Sequence, residues 1–321
     1  MKYRILKALN DADGYISGEQ LSESMGVSRT TIWNYISLLR REGYVIRSVT
    51  NKGYKLISSP DRLSPEAVSE GYTPSLVGKE LVILQETDST NEEIKRRAAA
   101  GAASGLVIAA ERQTMGKGRL GRSWESERGG LFFSFLLRTE LPPSDITGIT
   151  LAAGYAVCLA VREYSGIDAR IKWPNDIIVG SKKLCGILTE MSAQPDQTEY
   201  IVCGIGINAN NKDFPEELRE KCTSLAEETG SETDRSRLLG CVLKKLDRVL
   251  SSFMVSLCVE DMDHFRKLCV TLGRRIVFVR SKERIEATAV DVGSDGELIA
   301  RDDSGKEYSI NSGEVTVQGI Y

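Results

Sequence analysis

Three glycines alternate with three cations in the seven residues Gly116-Lys117-Gly118-Arg119-Leu120-Gly121-Arg122. Glycine lets backbone N–H groups come close to an oxyanion, and Lys and Arg add a point charge and a planar fork. Such a loop suits two anions that would otherwise repel each other, for example a carboxylate and a phosphate. Gln113 lies just before it and Trp124 just after it. Taken alone, the same residues would serve equally as a solvated basic turn.

Two further groups change that balance. Lys172-Trp173-Pro174-Asn175-Asp176 joins a cation, an aromatic, a rigid turn and two hydrogen-bonding side chains. Pro174 interrupts a strand, so Asn175 and Asp176 are expected at its end. Lys182-Lys183-Leu184-Cys185-Gly186 follows. A hairpin of Asp176–Val179 against Leu184–Leu188 would return Lys183 to Asn175 and Asp176 if the register allows it. Alone, the two lysines would make a solvated turn. Thr87-Asp88-Ser89-Thr90-Asn91 opens a helix. Ser89 or Thr90 can cap it, and free hydroxyls at a positive helix end also suit a polar ligand group.

Gly204-Ile205-Gly206-Ile207-Asn208-Ala209 has the G-x-G-x-x-A spacing after a strand, but Asn210 to Pro215 follow. No helix then begins where the pyrophosphate of a dinucleotide would need one. Neither Gly78-Lys79 nor Gly116-Lys117 is followed by the Ser/Thr of a Walker A loop.

Composition removes other chemistries. A length of 321 residues allows two or three domains, and 41% hydrophobic with 27% charged residues is ordinary for a soluble globular chain. The single histidine, His264, argues against a His-based metal site and a Ser–His–Asp triad, and is expected on a helix surface. No protein-held metal is assigned. Seven cysteines at 158, 185, 203, 222, 241, 258 and 269 lie far apart with no Cys-x-x-Cys, which points to reduced thiols, four of them in the core. No apolar run reaches the roughly 18 residues of a membrane span, and Met1 to Lys7 interleave with charge. The expectation is a cytoplasmic protein with no membrane partner.

The elements that would position these residues form an α+β pattern. Strands are expected at Leu81–Gln85, Leu106–Glu111, Leu131–Leu137, Ala169–Lys172, Ile177–Val179, Leu184–Met191 and Tyr200–Asn208. Helices are expected from Ser89 to about Gly101 and at Ile146–Tyr164, Val242–Val255 and Val259–Leu268. The layout suggests a mixed sheet with helices on one side. After Leu272 the chain reads as five short strands, Arg274–Arg280, Ile285–Val292, Glu297–Ala300, Glu307–Asn311 and Val315–Val317. Glycine turns at 293, 296, 305 and 313 separate them, as in a small barrel.

The first 57 residues differ in charge from the rest. They hold nine Lys/Arg against five Asp/Glu, a net of +4, and the chain's −3 leaves −7 for the remainder. A basic module on an acidic body suggests a polyanionic partner. Ser17-Gly18-Glu19-Gln20 has the form of a capping box, Gly26 breaks that helix, and Ser28 caps the next. Ile32, Ile36 and Leu39 give the second helix one buried stripe, while Arg29, Thr30, Thr31, Asn34 and Ser37 lie off it. Gly43 ends the helix, and Tyr44–Arg47 and Tyr54–Ile57 form a hairpin turned at Asn51-Lys52-Gly53. This is the pattern of a winged helix-turn-helix. Ser28, Arg29, Thr30, Thr31 and Asn34 would enter a major groove, and Lys52 and Lys55 on the wing would meet phosphate. Trp33 would stay partly exposed. Ser58 to Pro65 reads as a linker.

Ser89-Thr90-Asn91, the stretch from Gln113 to Trp124, Lys172 to Asp176, Lys183 to Gly186 and Gly204 to Asn208 occur in the order seen in biotin–protein ligases. With the winged helix in front, the whole chain resembles the bifunctional bacterial biotin ligases and biotin-operon repressors. The resemblance implies a winged helix-turn-helix at 1–60, a ligase domain at 66–270 and an SH3-like barrel at 271–321. It implies that biotin and ATP, with Mg2+, give biotinyl-5′-AMP, which then acylates a lysine of a biotin carboxyl carrier protein. Operator DNA and a homodimer formed with bound biotinyl-5′-AMP would be the other partners.

The resemblance carries Ser89, Thr90, Asn91, Gln113, Lys117, Gly118, Arg119, Lys183 and Gly186 to biotin. Arg119, Arg122, Trp124, Asn175, Asp176 and Asn208 go to the nucleotide, and Lys183, Arg119 and Lys117 to catalysis. Lys117 stands where many members have Arg, and Gln318 replaces an Arg that approaches the nucleotide. The first change implies altered retention of the intermediate. Two alternatives stay open: a transcription regulator with a ligand-sensing but inactive ligase-like domain, and a lipoate or octanoate ligase on the same scaffold.

Overall fold

A computed structural model describes residues 1–140, 146–194, 197–256, 261–281, 283–293, 295–311, 313 and 315–321. Cys258 and Val259, the expected start of a helix, lie outside these. The chain forms two compact units, Met1–Arg62 and Leu63–Tyr321.

In the first unit α1 (Lys2–Asp11) precedes α2 (Gly18–Met25), α3 (Arg29–Arg41), β1 (Val45–Val49) and β2 (Gly53–Ser58). The capping box closes both ways, with Gln20 N donating to Ser17 Oγ (3.0 Å) and Ser17 N to Gln20 Oε1 (2.9 Å). Gly26 adopts φ 68° and ends α2, and Ser28 Oγ accepts from Thr31 N at 3.1 Å to start α3. Ile32, Ile36 and Leu39 are fully buried with Leu21 and with Ile5 and Leu9 of α1. The expected hairpin is present. The helix α1 was not expected; its i, i+4 pair Ile5/Leu9 was hidden by the lysines around it.

The second unit is built on a seven-stranded sheet. After α4 (Pro65–Val68) come β3 (Glu80–Leu84), α5 (Thr90–Ala99), β4 (Leu106–Ala110), β5 (Leu131–Leu137) and α6 (Ile146–Ser165). Strands β6 (Arg170–Lys172), β7 (Asp176–Val179), β8 (Lys182–Gln194) and β9 (Gln197–Ile207) follow. Short helices α7 (Glu216–Arg219) and α8 (Leu225–Thr229) then lead to α9 (Arg235–Ser256) and α10 (Met262–Leu268). The strand order is β3-β4-β5-β9-β8-β7-β6, with β3 and β4 parallel and the other pairs antiparallel.

The helices do not keep to one side. Val107 and Ala109 of β4 face a cluster with α6 and α9, while Leu106 and Ile108 face Ile94 and Ala98 of α5. Successive strand residues point to opposite faces, so the middle of the sheet is covered twice. This explains why Leu131–Leu137 carries almost no polar residue.

The last strands, β10 (Arg275–Arg280), β11 (Glu283–Val292), β12 (Leu298–Arg301), β13 (Glu307–Ile310) and β14 (Val315–Val317), form an antiparallel sheet in the order β13-β12-β11-β10-β14. Its apolar residues Ile276, Phe278, Ala287, Leu298 and Val317 belong to the same buried cluster as the large sheet. That shared core is why residues 271–321 do not separate as a third compact unit.

Candidate active site

A cavity of about 440 Å³ opens over β8 and β9, within the size range of small-molecule sites. Its floor is made of glycines. A Cβ on Gly206 would stand 2.5 Å from Trp124 Nε1, one on Gly186 would stand 2.8 Å from the same ring, and one on Gly204 would collide with the Asn91 amide. The G-x-G spacing rejected as a dinucleotide fingerprint therefore lets Trp124 and Asn91 lie against the strands. Trp124 Nε1 is buried with no hydrogen-bond partner among the described residues.

One end of the cavity is neutral and densely hydrogen-bonded. Ser89, Thr90 and Asn91 sit at the start of α5 and are buried. Ser89 is the N-cap, but its side chain makes no capping bond. Gln113 Oε1 instead accepts from Thr90 N (2.8 Å) and Thr90 Oγ1 (3.0 Å), and Gln113 Nε2 donates to Ser126 Oγ (2.9 Å). Asn91 Nδ2 donates to Glu190 Oε2 at 2.7 Å. Ser134 Oγ lies 2.7 Å from Thr90 Oγ1 and 2.6 Å from Asn91 Oδ1. Beneath them Asp88 takes both Arg96 nitrogens and the Ser89 amide, and the Arg96 bond holds its carboxyl well below the usual range.

The glycine–cation loop forms a tight hairpin. Trp124 N donates to Gly116 O (2.9 Å) and Gly118 N to Arg122 O (2.6 Å), with exposed Leu120 at φ 56° at the tip. Lys117 Nζ pairs with Glu92 at 2.6 Å. Arg119 reaches across to Asn175 Oδ1 (2.9 Å) and Gly313 O (3.0 Å). Gly118 and Arg122 also line the cavity.

The other end is charged. The β7–β8 register sets Asp176 opposite Gly186 and brings Lys183 Nζ to 2.7 Å from Asp176 Oδ1, as the hairpin reading required. Lys183 Nζ is also 5.2 Å from the centre of the Trp124 ring. Asn175 Nδ2 donates to Ile187 O at 2.9 Å. Tyr321 Oη donates to Asp176 Oδ2, and Lys172 Nζ sits 3.7 Å from the centre of its ring. Burial and the nearby Asp176 charge push the Tyr321 hydroxyl far above its ordinary pKa, so it stays a donor. Lys117, Arg119, Arg122, Lys172, Lys183 and Lys221, six cations, line the cavity against one carboxylate, Asp176, among the described residues. The site therefore favours an anion.

Asn208 does not line this cavity. It is buried behind it, with Nδ2 donating to Thr223 O (3.0 Å) and Lys183 O (3.4 Å), so it fixes the backbone of Lys183. His264 is not a plain surface residue: its Nδ1 meets the Tyr155 hydroxyl at 2.9 Å. Cys158, Cys185, Cys203 and Cys269 are buried and Cys222 and Cys241 half-buried.

Sequence reasoning missed Ser134, Ser126, Glu190, Lys172 and Tyr321. Ser134 had a signal, being the one hydroxyl inside Leu131–Leu137. Lys172 had a signal too, as the cation that opens Lys172-Trp173-Pro174-Asn175-Asp176. Nothing local marked Tyr321, which lies 145 residues from Asp176.

In the first unit Ser28, Arg29, Thr30 and Asn34 are exposed on α3 and Thr31 is half-buried. Ser28 and Thr31 partly engage each other at 2.9 Å, and Arg29 pairs with Glu19. Lys52 and Lys55 are exposed on the hairpin, and Trp33 is 57% exposed.

Residues 83–208 match the Biotin/lipoate A/B protein ligase family, residues 2–55 an HTH domain and residues 271–317 the Biotin protein ligase C terminal domain. The bifunctional ligase/repressor BirA of Bacillus subtilis is 37% identical over 243 residues, 75% of each chain. That of Escherichia coli is 29% identical over 305 residues, 93% of this chain and 94% of the other. A structure of biotin protein ligase from Aquifex aeolicus in complex with biotin and ATP superposes with a TM-score of 0.66 at 33% identity, covering 75% of this chain and 99% of that one. The chain belongs to the biotin/lipoate protein ligase family, with a helix-turn-helix domain ahead of the ligase domain and the biotin protein ligase C-terminal domain behind it.

Proposed function

We propose that this chain is an ATP-dependent biotin–protein ligase and a biotin-responsive repressor. One observation carries the ligase reading. A single cavity joins a neutral end that both donates and accepts hydrogen bonds (Thr90, Asn91, Gln113) to a cationic end around Lys183. A ureido ring needs the first and a carboxylate meeting a phosphate needs the second.

A carboxylate oxygen attacks the α-phosphorus of ATP, the bond to the β-phosphate breaks and pyrophosphate leaves. Lys183, Lys117 and Arg119 offset the repulsion of the two anions and stabilise charge on the phosphoryl oxygens. Closing the site against water strengthens these contacts. A lysine amine of the carrier protein then attacks the mixed anhydride, AMP departs and an amide forms. No covalent enzyme intermediate is needed. Asp176, the one cavity carboxylate among the described residues, would suit a Mg2+ held mainly by the nucleotide, where it would help neutralise the leaving pyrophosphate.

In this reading Ser89, Thr90, Asn91, Gln113, Lys117, Gly118, Arg119, Lys183 and Gly186 meet biotin. Arg119, Arg122, Trp124, Asn175 and Asp176 meet the nucleotide, and Asn208 acts through Lys183. The domains run 1–60, 66–270 and 271–321. Ser28, Arg29, Thr30, Thr31, Asn34, Lys52 and Lys55 face operator DNA, the adenylate-bound form dimerises, and the protein works in the cytoplasm. No described helix is long and apolar enough to cross a membrane.

The test is mass spectrometry of a biotin carboxyl carrier domain incubated with this protein, biotin and ATP. The carrier should gain one biotinyl group, and none when ATP is omitted. An unchanged carrier in the full mixture overturns the reading. Lipoate and octanoate should compete poorly, because they would leave the polar end unpaired.

A further inference from the structure

We propose that Tyr321 controls nucleotide affinity by occupying the anion-binding corner of the cavity, so that ATP must displace it. This rests on the ligase reading. Asp176 is engaged from both sides, by the Lys183 ammonium as an ion pair at Oδ1 (2.7 Å) and by the Tyr321 hydroxyl as a hydrogen bond at Oδ2, while Oδ1 itself is buried without a hydrogen bond among the described residues. The Lys172 ammonium, on a residue only 8% exposed, lies over the Tyr321 ring. Lys183 Nζ is 6.0 Å from the centre of the same ring. One side chain of the protein therefore engages two cavity cations and the Asp176 carboxylate. A phosphate cannot reach Lys172 at close range while the ring covers it, and a phosphate-borne cation cannot share Asp176 Oδ2 with the phenol.

The same contacts explain how ATP could win. A phosphate offers Lys172 and Lys183 full negative charge in place of the weaker field of a ring. Tyr321 thus lowers affinity without abolishing it. It also keeps Asp176 hydrogen-bonded and Lys172 covered until the exchange occurs. Positions 318–321 follow the short strand Val315–Val317, which itself lines the cavity at Val315 and Thr316, so the tyrosine can leave without unfolding the large sheet.

The experiment is calorimetric titration of the full chain with ATP in the absence of biotin, so that no adenylate forms. The parent is compared with Tyr321→Phe and Tyr321→Ala. Losing the hydroxyl should tighten ATP about three-fold, and losing the ring as well about ten-fold or more. Biotin titrated without nucleotide reports whether the neutral end is intact and should change by less than about two-fold. Equal or weaker ATP binding by both variants overturns the proposal while leaving the ligase reading in place. If parent and variants all fail to bind ATP, Tyr321 is not what limits nucleotide binding and the proposal falls, while the ligase reading is decided separately by the carrier assay.

Discussion

Lys183 draws its position from two neighbours, the Asp176 carboxylate at 2.7 Å and the Trp124 ring. Removing one preorganised donor from developing charge typically costs about 10²–10³-fold in rate. Lys183→Ala should lower adenylate formation by that amount, measured as pyrophosphate release, and a loss under three-fold would remove Lys183 from catalysis. Ser134 serves the neutral end. Ser134→Ala would leave Asn91 Oδ1 without its buried hydroxyl partner, which costs about 1–3 kcal/mol. Thermal melting should show that loss, and biotin binding should weaken about ten-fold. The residues that group by sequence motif were legible only together, because the glycine–cation loop or the lysine pair alone would serve equally as a solvated turn, while several such motifs in one order would not. Ser134 and Glu190 were not, because they do not line the cavity themselves and meet it through Thr90 and Asn91. Tyr321 was not, because its partner lies far away in sequence.

Among the elements, α9 clamps the turn before β3 through Asp247. Burial works against its charge, but bonds from the Val77, Leu76 and Ser75 amides and the Ser75 hydroxyl outweigh that and lower its pKa. A carboxyl depressed in the folded state adds stability above its unfolded pKa of about 3.9 and loses it as pH falls below. Acid unfolding should therefore lose this increment below about pH 4, and Asp247→Asn should be less stable at pH 7 with a flatter acid limb. An unaltered limb would discard this account. On the wing, Lys52→Ala should cut the slope of log affinity against log salt for operator DNA by about 0.9 if it neutralises one phosphate. A parallel line would remove Lys52 from the interface. The hairpin carrying Lys183 could be read from the spacing of Asp176–Val179 and Leu184–Leu188, but its register could not. The placement of α5 on the far face could not be read either, since a strand apolar at every position does not say what covers each side.

For the whole chain, ligand state and oligomeric state are linked only through a difference in affinity. In the proposed linkage, biotinyl-5′-AMP would shift dimerisation by no more than the ratio of its affinities for dimer and monomer, and dimerisation would shift ligand affinity equally. Sedimentation velocity should show a larger dimer fraction with biotin plus ATP than without, and identical distributions would sever ligase from repressor. The domain count was only partly legible. Composition changes mark residue 60 clearly, but the final strands share their core with the large sheet and send the Gly296 carbonyl to the Trp173 indole N–H at 2.9 Å. No local pattern announces such a contact.

The glycine floor under Trp124 and Asn91 has a consequence for how this protein can change. A pocket shaped by missing side chains can only shrink at those positions, since every replacement of Gly186, Gly204 or Gly206 adds atoms where an indole or an amide already rests. Drift toward a bulkier acid is thus closed along the strands. It stays open on the overlying loop, where exchanging Trp124 for a smaller residue would vacate room that the backbone below is already bare enough to share.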